Sequence, residues 1–180
     1  SLNLCDHLSG VATKTRAIVD AAHSANPACE VLTTRKSMPG VKDLLTKAVT
    51  CGGAFPHRLG ASETVLVFAH HITFMGGFEA FLEALPSLRG RCVEKKLFVE
   101  AGPDEVRRLA EAGVDGIQLD KLPASDLAAL VPELRAIDSH ITLIAAGGIN
   151  LQNAAAYAST GVDGLATTAP FTAKPIDMSV

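Results

Sequence analysis

The pentapeptides Ala112-Gly113-Val114-Asp115-Gly116 and Thr160-Gly161-Val162-Asp163-Gly164 constrain this chain more than any other feature. In each, a segment of helical spacing runs into a glycine and an apolar, strand-like run starts two residues on, so one helix-to-strand joint is written twice. Around these joints, strand-like runs at 30–34, 63–68, 95–100, 115–119, 141–145 and 163–167 alternate with helical patterns at 2–25, 41–49, 78–88, 103–112, 123–136 and 150–159. The strand runs are nearly continuously apolar, as in strands covered on both faces, which predicts an α/β fold with a parallel sheet under helices. Repeated βα units favour a barrel, and six strands leave it short of the usual eight. The expectation is an open six-stranded parallel β/α barrel over residues 1–180.

Composition narrows the function classes. Lys+Arg 16 against Asp+Glu 19 leaves a net charge of -3, and aromatic residues are 4% with no Trp. That excludes the basic stripe and stacking platform of a nucleic-acid binder. No tract approaches the roughly 18 apolar residues of a membrane span, so neither nucleic acid nor membrane is an expected partner. Cys5, Cys29, Cys51 and Cys92 form no CxxC pair, which fits buried thiols in the cytoplasm better than a zinc cluster. The chain opens Ser1-Leu2-Asn3-Leu4, without an initiator Met and with the helical pattern already running, and reads as the back part of a longer protein.

The functional groups of a βα barrel collect at the C-terminal ends of its strands. Those ends carry Thr34-Arg35-Lys36, then His70-His71, Glu100, Asp120 and Gly147-Gly148, and His57-Arg58 precedes the second run. Arg and Lys suit carboxylates and phosphates. Glu100 and Asp120 suit sugar hydroxyls or Mg²⁺, and Gly147-Gly148 before a helix at Asn150 suits a phosphate. Together they describe a site for an anionic, phosphorylated sugar. Each also has a plainer reading: a solvated Arg-Lys pair, a helix cap or salt-bridge partner, a tight turn. His70-His71 is a poor metal site, since neighbours on a strand point apart.

The segments Leu8-Ser9-Gly10-Val11-Ala12-Thr13, Thr34-Arg35-Lys36 with Pro39-Gly40, Cys51-Gly52-Gly53, His57-Arg58-Leu59-Gly60, Val99-Glu100, Leu119-Asp120 and Gly147-Gly148-Ile149-Asn150 give the chain a family likeness. It resembles the quinolinate phosphoribosyltransferases, or nicotinate-nucleotide pyrophosphorylases, and within them the ModD proteins associated with molybdenum transport genes. The resemblance implies a type II phosphoribosyltransferase that joins a pyridine carboxylate or related aromatic acid to phosphoribosyl pyrophosphate with Mg²⁺. Carried over by position, Thr34, Arg35, His57 and Arg58 would bind the acid, and Lys36 would contact pyrophosphate or ribose phosphate. Glu100 and Asp120 would face the ribose and metal, and Gly147, Gly148 and Thr168 the 5-phosphate. It also implies a homodimer and an N-terminal α/β domain that is absent here, on which residues 175–180 would pack.

Departures from the family pattern bear on the acceptor. Phe68-Ala69-His70-His71 stands where the quinolinate enzymes carry Lys-Asp-Asn-His, so an aromatic ring replaces a pocket cation. Ala146 replaces a Ser, Lys121 an Asn, and Thr168 a glycine of the last phosphate loop. These changes point away from quinolinate itself and spare the ribose-phosphate features. Two rival readings remain: a non-catalytic anion or molybdate-related binding protein on the same fold, and a Schiff-base lyase using Lys36 or Lys121.

Overall fold

The computed structural model describes residues 2–60 and 63–179. In chain order its elements are α1 (Leu2–Ala25), β1 (Glu30–Thr33), α2 (Lys42–Cys51), β2 (Phe55–Pro56), β3 (Val65–Val67), α3 (Ala69–Phe74), α4 (Phe78–Arg91), β4 (Leu97–Ala101), α5 (Val106–Glu111), β5 (Gly116–Asp120), α6 (Ala124–Ile137), β6 (Thr142–Ala146), α7 (Ala154–Ala158), β7 (Gly164–Thr167) and a 3-10 turn at Ala169–Thr172. They form two compact units, one of Ser1–Leu59 with Gly147–Val180 and the other of Gly60–Ala146.

In the first unit β1 pairs in parallel with β2 through Leu32↔Phe55 and with β7 through Val31↔Leu165 and Thr33↔Thr167. Val11, Thr15, Ile18 and Ala22 are buried along α1 at steps of four, three and four residues, one stripe of the helix. The Thr15 hydroxyl donates to the Val11 carbonyl at 2.7 Å, which satisfies the buried polar atom. The segment after the 3-10 turn lies along α1: Ile176 N–H donates to Asp6 O at 3.0 Å, and a Cβ on Gly10 would fall 2.1 Å from Lys174 O.

In the second unit β3, β4, β5 and β6 are parallel neighbours, with Leu66↔Phe98, Phe98↔Gly116↔Thr142 and Glu100↔Gln118↔Ile144 in register. Leu109 of α5 and Leu127 and Leu134 of α6 are fully buried. Burial of that kind is worth roughly 1.5–3 kcal/mol per side chain.

The twin joints behave alike. Gly113 and Gly161 both take positive φ, 76° and 88°, which ends a helix without strain. Val114 and Val162 are each 1% exposed. The Asp115 carbonyl then accepts the Thr142 N–H at 3.1 Å, and the Asp163 carbonyl accepts the Glu30 N–H at 2.9 Å. In each repeat the aspartate backbone hands the chain to the start of the neighbouring strand.

The sequence reading needs four corrections. The described residues hold seven strands and not six, because Phe55–Pro56, just before His57-Arg58, pairs with β1; two residues are too few to show a period, and a proline suits a strand margin where no N–H is needed. His70 and His71 belong to α3, not to a strand end. The helix after Gly147-Gly148 starts at Ala154, not near Asn150. Of the four thiols only Cys29 is buried, while Cys5 and Cys51 are exposed and Cys92 is intermediate. No described helix is long and apolar enough to cross a membrane.

Candidate active site

The first unit gathers most of the expected site. Beyond the last β1–β7 pair, the Thr34 N–H donates to Thr167 O at 3.0 Å, and His57 N–H donates to Thr33 O at 2.7 Å. The C-terminal ends of β1, β2 and β7 are therefore tied side by side. Thr34 accepts the Lys36 N–H on its hydroxyl at 3.4 Å, and both Arg35 and Lys36 are exposed.

The glycine loop is anchored to the same strand ends. Buried Thr167 donates its hydroxyl to Ile149 O at 2.6 Å and accepts the Ala169 N–H at 3.0 Å. Gly147 and Gly148 both have positive φ, 90° and 74°, a turn closed to most side chains. The Gly148 carbonyl accepts both the Asn150 and the Asn153 side-chain amides, at 3.0 and 3.1 Å. α7 starts only at Ala154, so loop backbone and not a helix N-terminus directly follows the two glycines. Thr168 is half-buried just after β7, and its carbonyl accepts the Phe171 N–H at 3.1 Å.

Arg58 has φ of 63°, in the left-handed region that costs a non-glycine residue roughly 1–2 kcal/mol. It is held from both sides, by the His57 N–H bond to Thr33 and by Lys42 Nζ donating to Leu59 O at 2.5 Å. Among the described residues the other non-glycine with positive φ is Lys121, at 56°. One of the two is a candidate residue and the other directly follows one. Strain of this kind collects at functional sites, where surrounding bonds over-determine it.

Glu100 and Asp120 belong to the second unit. Glu100 is half-buried and pairs across β4–β5 with Gln118, whose Nε2 donates to Glu100 Oε2 at 2.5 Å. Asp120, two residues further along β5, shares the face of Gln118. Its Oδ2 lies 3.4 Å from Lys121 Nζ, a pair with the lysine side chain 81% exposed. Lys121 N–H donates to Ala146 O at 2.8 Å, which carries the β5–β6 ladder past the end of β5.

Phe68, whose backbone caps α3, stacks on His70 with ring centroids 5.6 Å apart and 9° between planes. His71 Nδ1 accepts the Phe68 N–H at 3.0 Å, satisfying a helix-start donor. Being helical, His70 and His71 bring their ring centroids to 4.0 Å, so strand geometry is not what separates them. Among the described residues no group of three or more His, Cys, Asp and Glu is placed to hold a metal.

Two residues that hold candidate groups, one in each unit, escaped the sequence reading. Thr167 ties β7 to the glycine loop, and Gln118 holds Glu100. Each had a faint signal, a polar residue buried in an otherwise apolar strand, at 2% and 6% exposure.

Comparison with known proteins bears on the family and the fold. Residues 11–180 match the family described as quinolinate phosphoribosyl transferase, C-terminal domain. The chain is 45% identical to the ModD protein of Rhodobacter capsulatus over 154 residues, 85% of this chain and 59% of that protein. It is 34% identical to the nicotinate-nucleotide pyrophosphorylase [carboxylating] of Mycobacterium leprae, covering 93% of this chain and 58% of the relative. The solved nicotinate-nucleotide pyrophosphorylase of Francisella tularensis superposes with a TM-score of 0.85 at 30% identity, over 99% of this chain and 61% of that one. The α/β fold of parallel βα units is thus a shared one, and the chain spans about three fifths of the length of these relatives.

Proposed function

We propose, since the chain belongs to the quinolinate phosphoribosyltransferase family through its C-terminal domain, that it serves a pentosyltransferase passing phosphoribose from phosphoribosyl pyrophosphate to a pyridine carboxylate or related aromatic acid. The observation that supports this reading is the tie between the Arg35-Lys36 turn and the Gly147-Gly148 loop through Thr167, which joins an exposed Arg-Lys pair to a loop of two positive-φ glycines. Arg35, His57, Arg58 and Thr34 hold the acid. Lys36 stabilises the departing pyrophosphate, and Gly147, Gly148 and Thr168 hold the 5-phosphate.

Glu100 and Asp120 are suited to Mg²⁺ that arrives with the substrate. Two carboxylates on one face of β4–β5 match an ion that keeps several waters and takes the rest of its ligands from phosphates. When bound, Mg²⁺ neutralises charge on the pyrophosphate. The same carboxylates steady positive charge developing at the ribose, so no covalent nucleophile is required. In this reading the protein acts in the cytoplasm as a homodimer.

The test is calorimetry with Mg²⁺ and phosphoribosyl pyrophosphate, followed by pyrophosphate release with a panel of pyridine carboxylates. Binding and release support the assignment, and absence of donor binding overturns it. Glu100→Gln separates enzyme from anion-binding protein: release collapses in the first case, while anion affinity holds or rises in the second.

A further inference from the structure

Gln118 is a neutral amide, 6% exposed, in a strand whose neighbours Ile117 and Leu119 are fully buried. An amide removed from water must be hydrogen-bonded or it destabilises the fold. Its Nε2 is given to one oxygen of Glu100, at 2.5 Å, from the directly paired position on the next strand. The two side chains share one face of the sheet, and both spring from regular strand backbone, the most rigid support a site can have.

We infer that Gln118 is a positioning residue of Glu100, holding one oxygen of the carboxylate and so restricting its orientation. The inference deepens the phosphoribosyl reading and rests on it for its catalytic consequence. Asp120 is treated differently, since its partner is the exposed ammonium of Lys121, on a side chain free to swing away. Of the two carboxylates, Glu100 is the one held by a buried amide from the neighbouring strand.

The experiment uses Gln118→Met, close in volume and without a donor, and Gln118→Asn, which keeps the amide but is one methylene short. Both are compared with Glu100→Gln and with the double variant. In the parent, the Gln118 side-chain amide protons should give a displaced pair of NMR signals that collapses toward free-amide positions in Glu100→Ala. Gln118→Met and Gln118→Asn should each lower kcat by about tenfold or more, the size of one charge-assisted hydrogen bond, with KM for phosphoribosyl pyrophosphate within about twofold. Added to Glu100→Gln, Gln118→Met should lower kcat no further, because it acts only through that carboxylate. A purely structural role would give additive losses instead, and additivity, or an amide signal indifferent to Glu100, overturns the inference. If the parent shows the Glu100-dependent signal but no donor binding, the phosphoribosyl reading fails while the positioning contact stands.

Discussion

The Phe98 ring lies across Gly116: the two are paired on β4 and β5, and a Cβ on Gly116 would fall 2.3 Å from the nearest ring carbon. The second glycine of the repeated joint is therefore a packing requirement as well as a strand start. Gly116→Ala should destabilise the fold by about 1–3 kcal/mol, the usual range for overpacking. Phe98→Leu in the same chain should recover part of that loss, because the clash is with the ring. Urea unfolding of the two single variants and the double variant checks it, and additive losses would rule the clash out.

Lys121 adopts φ of 56° where the family pattern carries Asn. Among non-glycine residues asparagine tolerates the left-handed region best, since its short amide can bond locally. Lys121→Asn should raise stability by about 1 kcal/mol, seen as a higher urea midpoint at unchanged slope. The Lys121–Asp120 pair lost in the exchange is too exposed to offset that gain. A lower midpoint would show that the ammonium matters more than the backbone.

Arg35 and Lys36 are adjacent and exposed, yet the roles assigned to them differ. Arg35→Ala should raise KM for the acid about tenfold or more and leave donor affinity nearly unchanged. Lys36→Ala should weaken donor binding and lower kcat. Steady-state kinetics with each substrate varied in turn distinguishes them. Equal effects on both substrates would mean the dipeptide acts as undivided positive charge.

How much of this could be read from sequence depended on length and period. The long stripe of α1 and the apolar runs of β4 to β7 announced themselves because each repeats its pattern several times. β2 is two residues long, and α3 buries only Ile72, so neither has a period to detect. The strand-end residues were legible as chemistry, but their coupling was not. Thr167 and Gln118 are isolated polar letters inside apolar runs, and their meaning lies in partners 18 residues away. The left-handed backbone of Arg58 is imposed by bonds from Thr33 and Lys42, which no local pattern at Arg58 records.

Cys29 yields a prediction about pH. It lies fully buried before β1, and burial pushes its thiol up to about 12, with the carboxylates of Asp163 and Glu30 adding to the shift. In the unfolded chain a thiol ionises near 8.5. Below that pH the thiol is protonated in both states and its contribution to stability is fully present. Above it the unfolded chain loses a proton that the folded chain keeps, so stability falls as pH rises, with a slope approaching about 1.4 kcal/mol per unit until the folded thiol ionises. Urea unfolding of the parent between pH 8 and roughly 10.5 should show this decline, and Cys29→Ala should flatten it relative to the parent. Thiol labelling provides an independent reading: the exposed Cys5 and Cys51 should react promptly with a disulfide reagent, and Cys29 only once the chain unfolds. Prompt native-state labelling of Cys29, or an alkaline slope indifferent to Cys29→Ala, would refute the account.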